Sequence, residues 1–131
     1  PPQTKQRRVS PAALLAPAQV LREFSAQTLN PKALRAFKTD PVTYTVSTDG
    51  HLDGFCGFFT AHLAPGLELC TGPGASPTFY DQQVFPVRPL PVHAGDQLRL
   101  TLAVSGVEVV FQGALLREGA ADSPFRYAFQ A

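Results

Sequence analysis

The sequence predicts an all-β domain, an antiparallel β-barrel or sandwich preceded by one or two short helical turns. Three observations carry that expectation. From Val42 onward apolar residues recur at every second position, the period of a strand with one face buried. Turn signals built on Gly and Pro separate these runs at regular intervals. Strand-length and helix-length segments do not alternate, which argues against a parallel sheet flanked by helices.

Taken in order, residues 1–9 are polar and expected to form a flexible tail, leaving 10–131 as the domain. Ser10-Pro11 is a helix start, with Ser10 as N-cap and Pro11 in the first turn, where its missing N–H costs nothing. Pro17 stops that turn. Asn30-Pro31 repeats the signal and predicts a short helix over Lys32–Phe37, with an extended segment between the two. Val42, Tyr44 and Val46 then face one way along a strand, and Asp49-Gly50 turns the chain. Phe55–Leu63 is a second strand, and Pro65-Gly66 turns it into Leu67–Thr71. Gly72–Pro77 is a loop. Thr78–Val87 contains a strand that Pro86 and Pro89 should confine to an edge or terminate. Ala94-Gly95-Asp96 is a turn, and Leu98, Leu100, Leu102 and Val104 give the cleanest alternation in the chain. Ser105-Gly106 is a hairpin signal, returning along Val107, Val109 and Phe111. A loop over Gly119–Pro124 leads to Phe125, Tyr127 and Phe129, which close the domain.

The chain has 131 residues, the size of one domain, and 44% of them are hydrophobic against 16% charged, a balance that favours folding over disorder. Its net charge of +1 gives no broad footprint for nucleic acid or an acidic membrane, and Lys5, Arg7 and Arg8 are too few for a binding arm. No apolar run approaches the roughly 20 residues that span a bilayer. A cytoplasmic location is expected, or a nuclear one in a eukaryote. Cys56 and Cys70, the only cysteines, sit far apart along a hairpin in which Cys70 should lie opposite Ala61, so they are expected to be free thiols.

Motifs for chemistry are sparse. No Gly-rich loop joins a strand to a helix, and Gly72-Pro73-Gly74 reads as a tight surface loop rather than a cofactor cradle. His51, His62 and His93 lack the spacing of metal ligands. Asp49, Asp53 and Asp96 are placed as turn formers and Glu108 on a solvated strand position. Phe125, Tyr127 and Phe129 could form a base-stacking platform, but Arg126 is the one basic residue among them, and core packing is the better account.

The segment 52–100 resembles the C-terminal barrel of the protein arginine methyltransferases. It runs Gly54-Phe55-Cys56-Gly57-Phe58-Phe59, a Pro-Gly turn, Leu69-Cys70-Thr71-Gly72-Pro73, then Ser76-Pro77-Thr78-Phe79-Tyr80-Asp81-Gln82-Gln83-Val84-Phe85, and finally Val92-His93-Ala94-Gly95-Asp96. The family's barrel has a Ser-Thr-x-Pro segment, a Pro-rich loop leading to Thr-His-Trp, a Gln, an apolar strand and a Gly-Asp turn in similar order. Val9-Ser10-Pro11 through Leu29 is similar to the extended approach to that barrel. The resemblance implies an accessory barrel that binds no cofactor or metal itself and has no catalytic residue of its own. S-adenosylmethionine would sit in a partner methyltransferase domain, on the same gene or another chain, acting on a protein substrate. Thr78, Phe79, Tyr80, Asp81 and Gln82 would form the loop facing that substrate. Phe79 stands where the family has His and can neither hydrogen-bond nor carry charge, whereas Tyr80 in place of Trp keeps an aromatic face. The alternatives are a stand-alone non-catalytic protein-interaction module with the same barrel, or an unrelated β-sandwich binding a small ligand.

Overall fold

A computed structural model describes residues 3–25, 32, 36–74 and 82–130. Its strands are β1 (Lys5–Arg7), β2 (Ala36–Lys38), β3 (Val42–Thr45), β4 (Gly50–Gly57), β5 (Thr60–Ala64), β6 (Leu67–Cys70), β7 (Gln82–Val92), β8 (Gln97–Ser105), β9 (Glu108–Leu116) and β10 (Ser123–Gln130). Every pairing between named strands is antiparallel. The class is all-β, as expected, and the sheets form a sandwich rather than a closed barrel.

The larger sheet runs β10-β9-β8, with β2 and β3 both paired to β8. It is built on the alternation that the sequence displays most clearly. Leu98 and Leu100 on β8, Val109, Phe111 and Leu115 on β9 and Phe129 on β10 all face inward and are buried. The β8–β9 hairpin pairs Ser105 with Glu108, so its two-residue loop is Gly106-Val107, one position later than expected. Gly113 on β9 is where the strands approach most closely. A Cβ there would lie 1.9 Å from the Arg99 carbonyl oxygen and 2.7 Å from Leu100 Cα, so the β8 backbone occupies the space a side chain would need.

The smaller sheet, β1-β7-β4, lays its apolar face against the larger one. Phe55 of β4 stacks on Phe111 with ring centroids 4.4 Å apart, and Phe85 of β7 meets Phe129 edge-on at 5.4 Å. Such ring pairs contribute beyond their buried area. The aromatic face of β10 is therefore core: Phe129 is fully buried, and Phe125 and Tyr127 pack beside it.

Several expectations change in this half of the molecule. The strand expected over Phe55–Leu63 starts at Gly50 and breaks at Phe58-Phe59, where the chain leaves β7 and begins the separate β5–β6 hairpin. Cys70 pairs with Thr60 rather than Ala61, the register having slipped between His62 and Ala64. The helix expected over Lys32–Phe37 gives way at its end to β2, because Phe37 finds a pairing partner in Val104 of β8; residues 33–35 lie outside the described residues.

Of the two roles the sequence allows Pro86 and Pro89, an edge or an end, the edge is the one found: β7 continues to Val92 through Pro86, Pro89 and Pro91. Proline removes a ladder donor, but β1 pairs only with Gln82–Val84, so beyond that point β7 has β4 alone beside it and its far edge needs no donors. A bulge between Leu52 and Gly54 absorbs the extra residues. Within the segment expected to be a flexible tail, Lys5–Arg7 forms β1, and Gln3 bridges Gln130 at the end of β10.

The Gly-Asp turn between β7 and β8 forms as expected. Asp96 accepts hydrogen bonds from the Arg117 guanidinium and the His93 backbone N–H, at 2.8 Å each. These bonds hold the Asp96 carboxyl down to about 2, with Arg117 the larger cause.

Candidate functional site

The residues singled out in the sequence fall, along the chain, between the end of β6 and the start of β7. Of these, Thr78, Phe79, Tyr80 and Asp81 lie outside the described residues; Gln82 is described and is buried. The described residues on the two sides are fixed by unlike means.

On the β6 side the brace is Thr71, only 2% exposed. Its backbone N–H donates to the Phe59 carbonyl at 3.0 Å, its hydroxyl donates to the same carbonyl at 3.2 Å, and the Phe59 N–H donates to that hydroxyl at 3.0 Å. The β6 end is thereby tied to the break before β5. Gly72 follows beneath the Phe58 ring, where an added Cβ would come within 2.8 Å of Cε2. Gly74 has φ +80°, a conformation suited to glycine, and an added Cβ there would lie 2.9 Å from Pro11 Cγ in the capped N-terminal turn. Ser10 caps that turn as the sequence predicts, its hydroxyl accepting from the Ala12 N–H.

On the β7 side the brace is Gln82. Its Nε2 donates to the Thr71 carbonyl at 2.7 Å, and its Oε1 accepts from the Val9 N–H at 2.7 Å. One side-chain amide thus joins three stretches of chain: the end of β6, the start of β7 and the N-terminal segment. Buried polar groups are costly unless bonded, and both ends of this amide are bonded. Next to it, the Gln83 amide donates to the Thr4 hydroxyl. The segments that carry the resemblance include Val9, Thr71 and Gln82, but nothing in their order joins the three. Thr71 and Val9 stand 11 and 73 residues away from Gln82 in sequence, and no local pattern links them to it.

Thr71 and Gln82 are neutral, and their polar atoms are committed within the chain. The described part of the site holds and positions. Cys56 and Cys70 are free, and burial pushes the Cys56 thiol up, away from reactive thiolate. Among the described residues, no group of three or more His, Cys, Asp or Glu could hold a metal ion, and no helix is long and apolar enough to cross a membrane.

Comparison with known proteins is consistent with this geometry. The family model described as the arginine methyltransferase oligomerization subdomain matches residues 3–111. Fourteen chains of solved structures match. One of them, from the Trypanosoma brucei PRMT1 enzyme-prozyme heterotetrameric complex with AdoHcy, superposes with a TM-score of 0.70 at 16% identity. The alignment covers 98% of this chain but 46% of that one, so the present chain spans about half the length of its structural relative. At that identity the likeness speaks to the fold. A search of curated proteins gives no match. The family match takes in the N-terminal segment, the brace around Gln82 and most of the larger sheet, and on that basis the chain belongs to the arginine methyltransferase family, in which it corresponds to the oligomerization subdomain.

Proposed function

We propose that this chain serves as the substrate-facing wall of an arginine-methyltransferase-like protein, without catalysing transfer itself. The methyl donor, S-adenosylmethionine, would be held by a methyltransferase domain on the same polypeptide or on another chain. The loop with Thr78, Phe79, Tyr80 and Asp81, ending at Gln82, would face the substrate side of that domain. The observation that carries this reading is the buried Gln82 amide, which pins the base of the loop to Thr71 and Val9. A loop fixed at its base can present side chains to a partner at low entropic cost.

The test has two arms. Calorimetry on this chain alone with S-adenosylmethionine should detect no binding, and clear binding would overturn the reading. Joined to a methyltransferase domain of the family, the chain should support methyl transfer to a peptide, and Tyr80→Ala should lower the rate while leaving the circular dichroism unchanged. An unchanged rate would remove the loop from the proposal.

Phe79 favours a second reading. With no polar group where the family has His, the chain would act as the non-catalytic member of an assembly; the Trypanosoma brucei structure that it resembles is itself an enzyme-prozyme heterotetramer. Restoring Phe79→His separates the two: a large gain in transfer supports a lapsed catalytic wall, and no gain supports the interaction role.

A further inference from the structure

Residues 9–11 meet described residues that lie, along the chain, on both sides of the substrate-facing loop. After the loop, at the start of β7, the Val9 N–H donates to Gln82 Oε1 at 2.7 Å. Before it, beyond the end of β6, a Cβ added at Gly74 would lie 2.9 Å from Pro11 Cγ, so the proline ring and the glycine backbone are close together. The two contacts belong to one stiff unit. The Ser10 carbonyl accepts from the Ala13 N–H at 2.9 Å, the Pro11 carbonyl accepts from the Leu14 N–H at 3.2 Å, and the Pro11 ring fixes its own φ. Gln82 carries the connection across. The amide that accepts from Val9 also donates to the Thr71 carbonyl at 2.7 Å. Its oxygen and nitrogen share one carbon and one plane, so a rotation that breaks either bond misaligns the other.

From this we infer that the N-terminal segment regulates the substrate-facing loop, and that Gln82 is the positioning residue through which it does so. The coupling rests on the substrate-facing role proposed above and adds its control. With Val9 in place, the Gln82 amide is held at both ends, and Thr71 keeps the end of β6 tied to Phe59. With Val9 drawn away, Gln82 Oε1 is left buried without that donor, the amide is free to turn, and its hold on the Thr71 carbonyl weakens. Leaving one buried partner unsatisfied shifts a local opening equilibrium by roughly fivefold to a hundredfold. A methyltransferase domain that seats residues 9–11 therefore firms the base of the loop, and one that draws them away slackens it.

The experiment uses the full chain. Val9→Pro removes the N–H donor, and Gln82→Leu removes the amide. Hydrogen exchange at the Thr71 and Gly72 amides is followed by NMR in the parent, in each variant and in the double variant. The amides of buried Leu100 and Phe111 report global opening. Relative to these, Val9→Pro should quicken Thr71 and Gly72 by roughly fivefold or more, and should add nothing once Gln82→Leu is present. Two results overturn the coupling: Thr71 and Gly72 unmoved by Val9→Pro, or quickened equally with and without Gln82. If Val9→Pro does not fold, exchange of the parent in low urea asks the same question. Val9, Thr71 and Gly72 should then open as one unit that Gln82→Leu splits, and separate opening in the parent overturns the coupling. No methyl transfer enters this measurement. If Tyr80→Ala leaves the rate of the joined protein unchanged while the exchange cycle holds, the coupling survives and the substrate-facing role does not.

Discussion

The larger sheet and the β6–β7 corner reach order by different physics. In the sheet, Leu98, Leu100, Val109, Phe111, Leu115 and Phe129 interlock across β8, β9 and β10, and stability comes from apolar area and close packing. At the corner, Thr71 and Gln82 are buried polar groups stapling segments together through hydrogen bonds, and Thr39 does the same for the segment before β3 by bonding both ways with Leu102. The first kind of order is spread over many contacts and tolerates small losses. The second rests on single groups, so one substitution can release a segment and leave the rest folded.

Cutting into the sheet should have the largest effect. Phe129→Ala removes a ring 1% exposed that touches Phe85 and Phe111, and should cost about 3–5 kcal/mol in urea unfolding. All probes should lose stability together. If hydrogen exchange instead quickened only around β10, the sheet would not be the cooperative unit described here.

Gln82→Leu sharpens the contrast. It leaves the Thr71 carbonyl and the Val9 N–H without their partner and should cost about 2–3 kcal/mol. Exchange should quicken at Lys5–Val9 and Thr71, while amides of β8 and β9 keep their protection relative to global unfolding. Equal loss everywhere would erase the distinction between the two regions.

The smallest effect is confined to acid. The folded Asp96 carboxyl is lowered from 3.8 to about 2, so its contribution to stability is complete above 3.8 and fades as pH falls through about 2. Asp96→Asn removes that contribution. The gap between parent and variant in unfolding midpoint should be constant from pH 7 to about 4 and should narrow below that. A gap that widens on acidification would place the interaction elsewhere.

Legibility followed the same division. The β8–β9 hairpin could be read directly because a half-buried strand writes its pleat into the sequence as Leu98, Leu100, Leu102 and Val104. The course of β7 could be read only in part, since Pro86 and Pro89 allow either an edge or an end, and only the missing neighbour on that side selects the edge. Lys5-Gln6-Arg7 is too polar to announce a strand, and its conformation is imposed by the edge of β7. The family's motif order singled out Gln82, but its inward role depends on partners in two distant segments. Four of the five residues expected in the substrate-facing loop fall outside the described residues.

The prolines of β7 have a further consequence. A bare sheet margin invites neighbours to add on without limit, the route by which β-rich proteins grow into fibres. Here the stretch from Pro86 to Pro91 lacks the regular run of amide hydrogens that such growth would need, and the short stretch that retains them, Gln82–Val84, is covered by the chain's own Lys5–Arg7. Open-ended addition along this margin is thereby blocked.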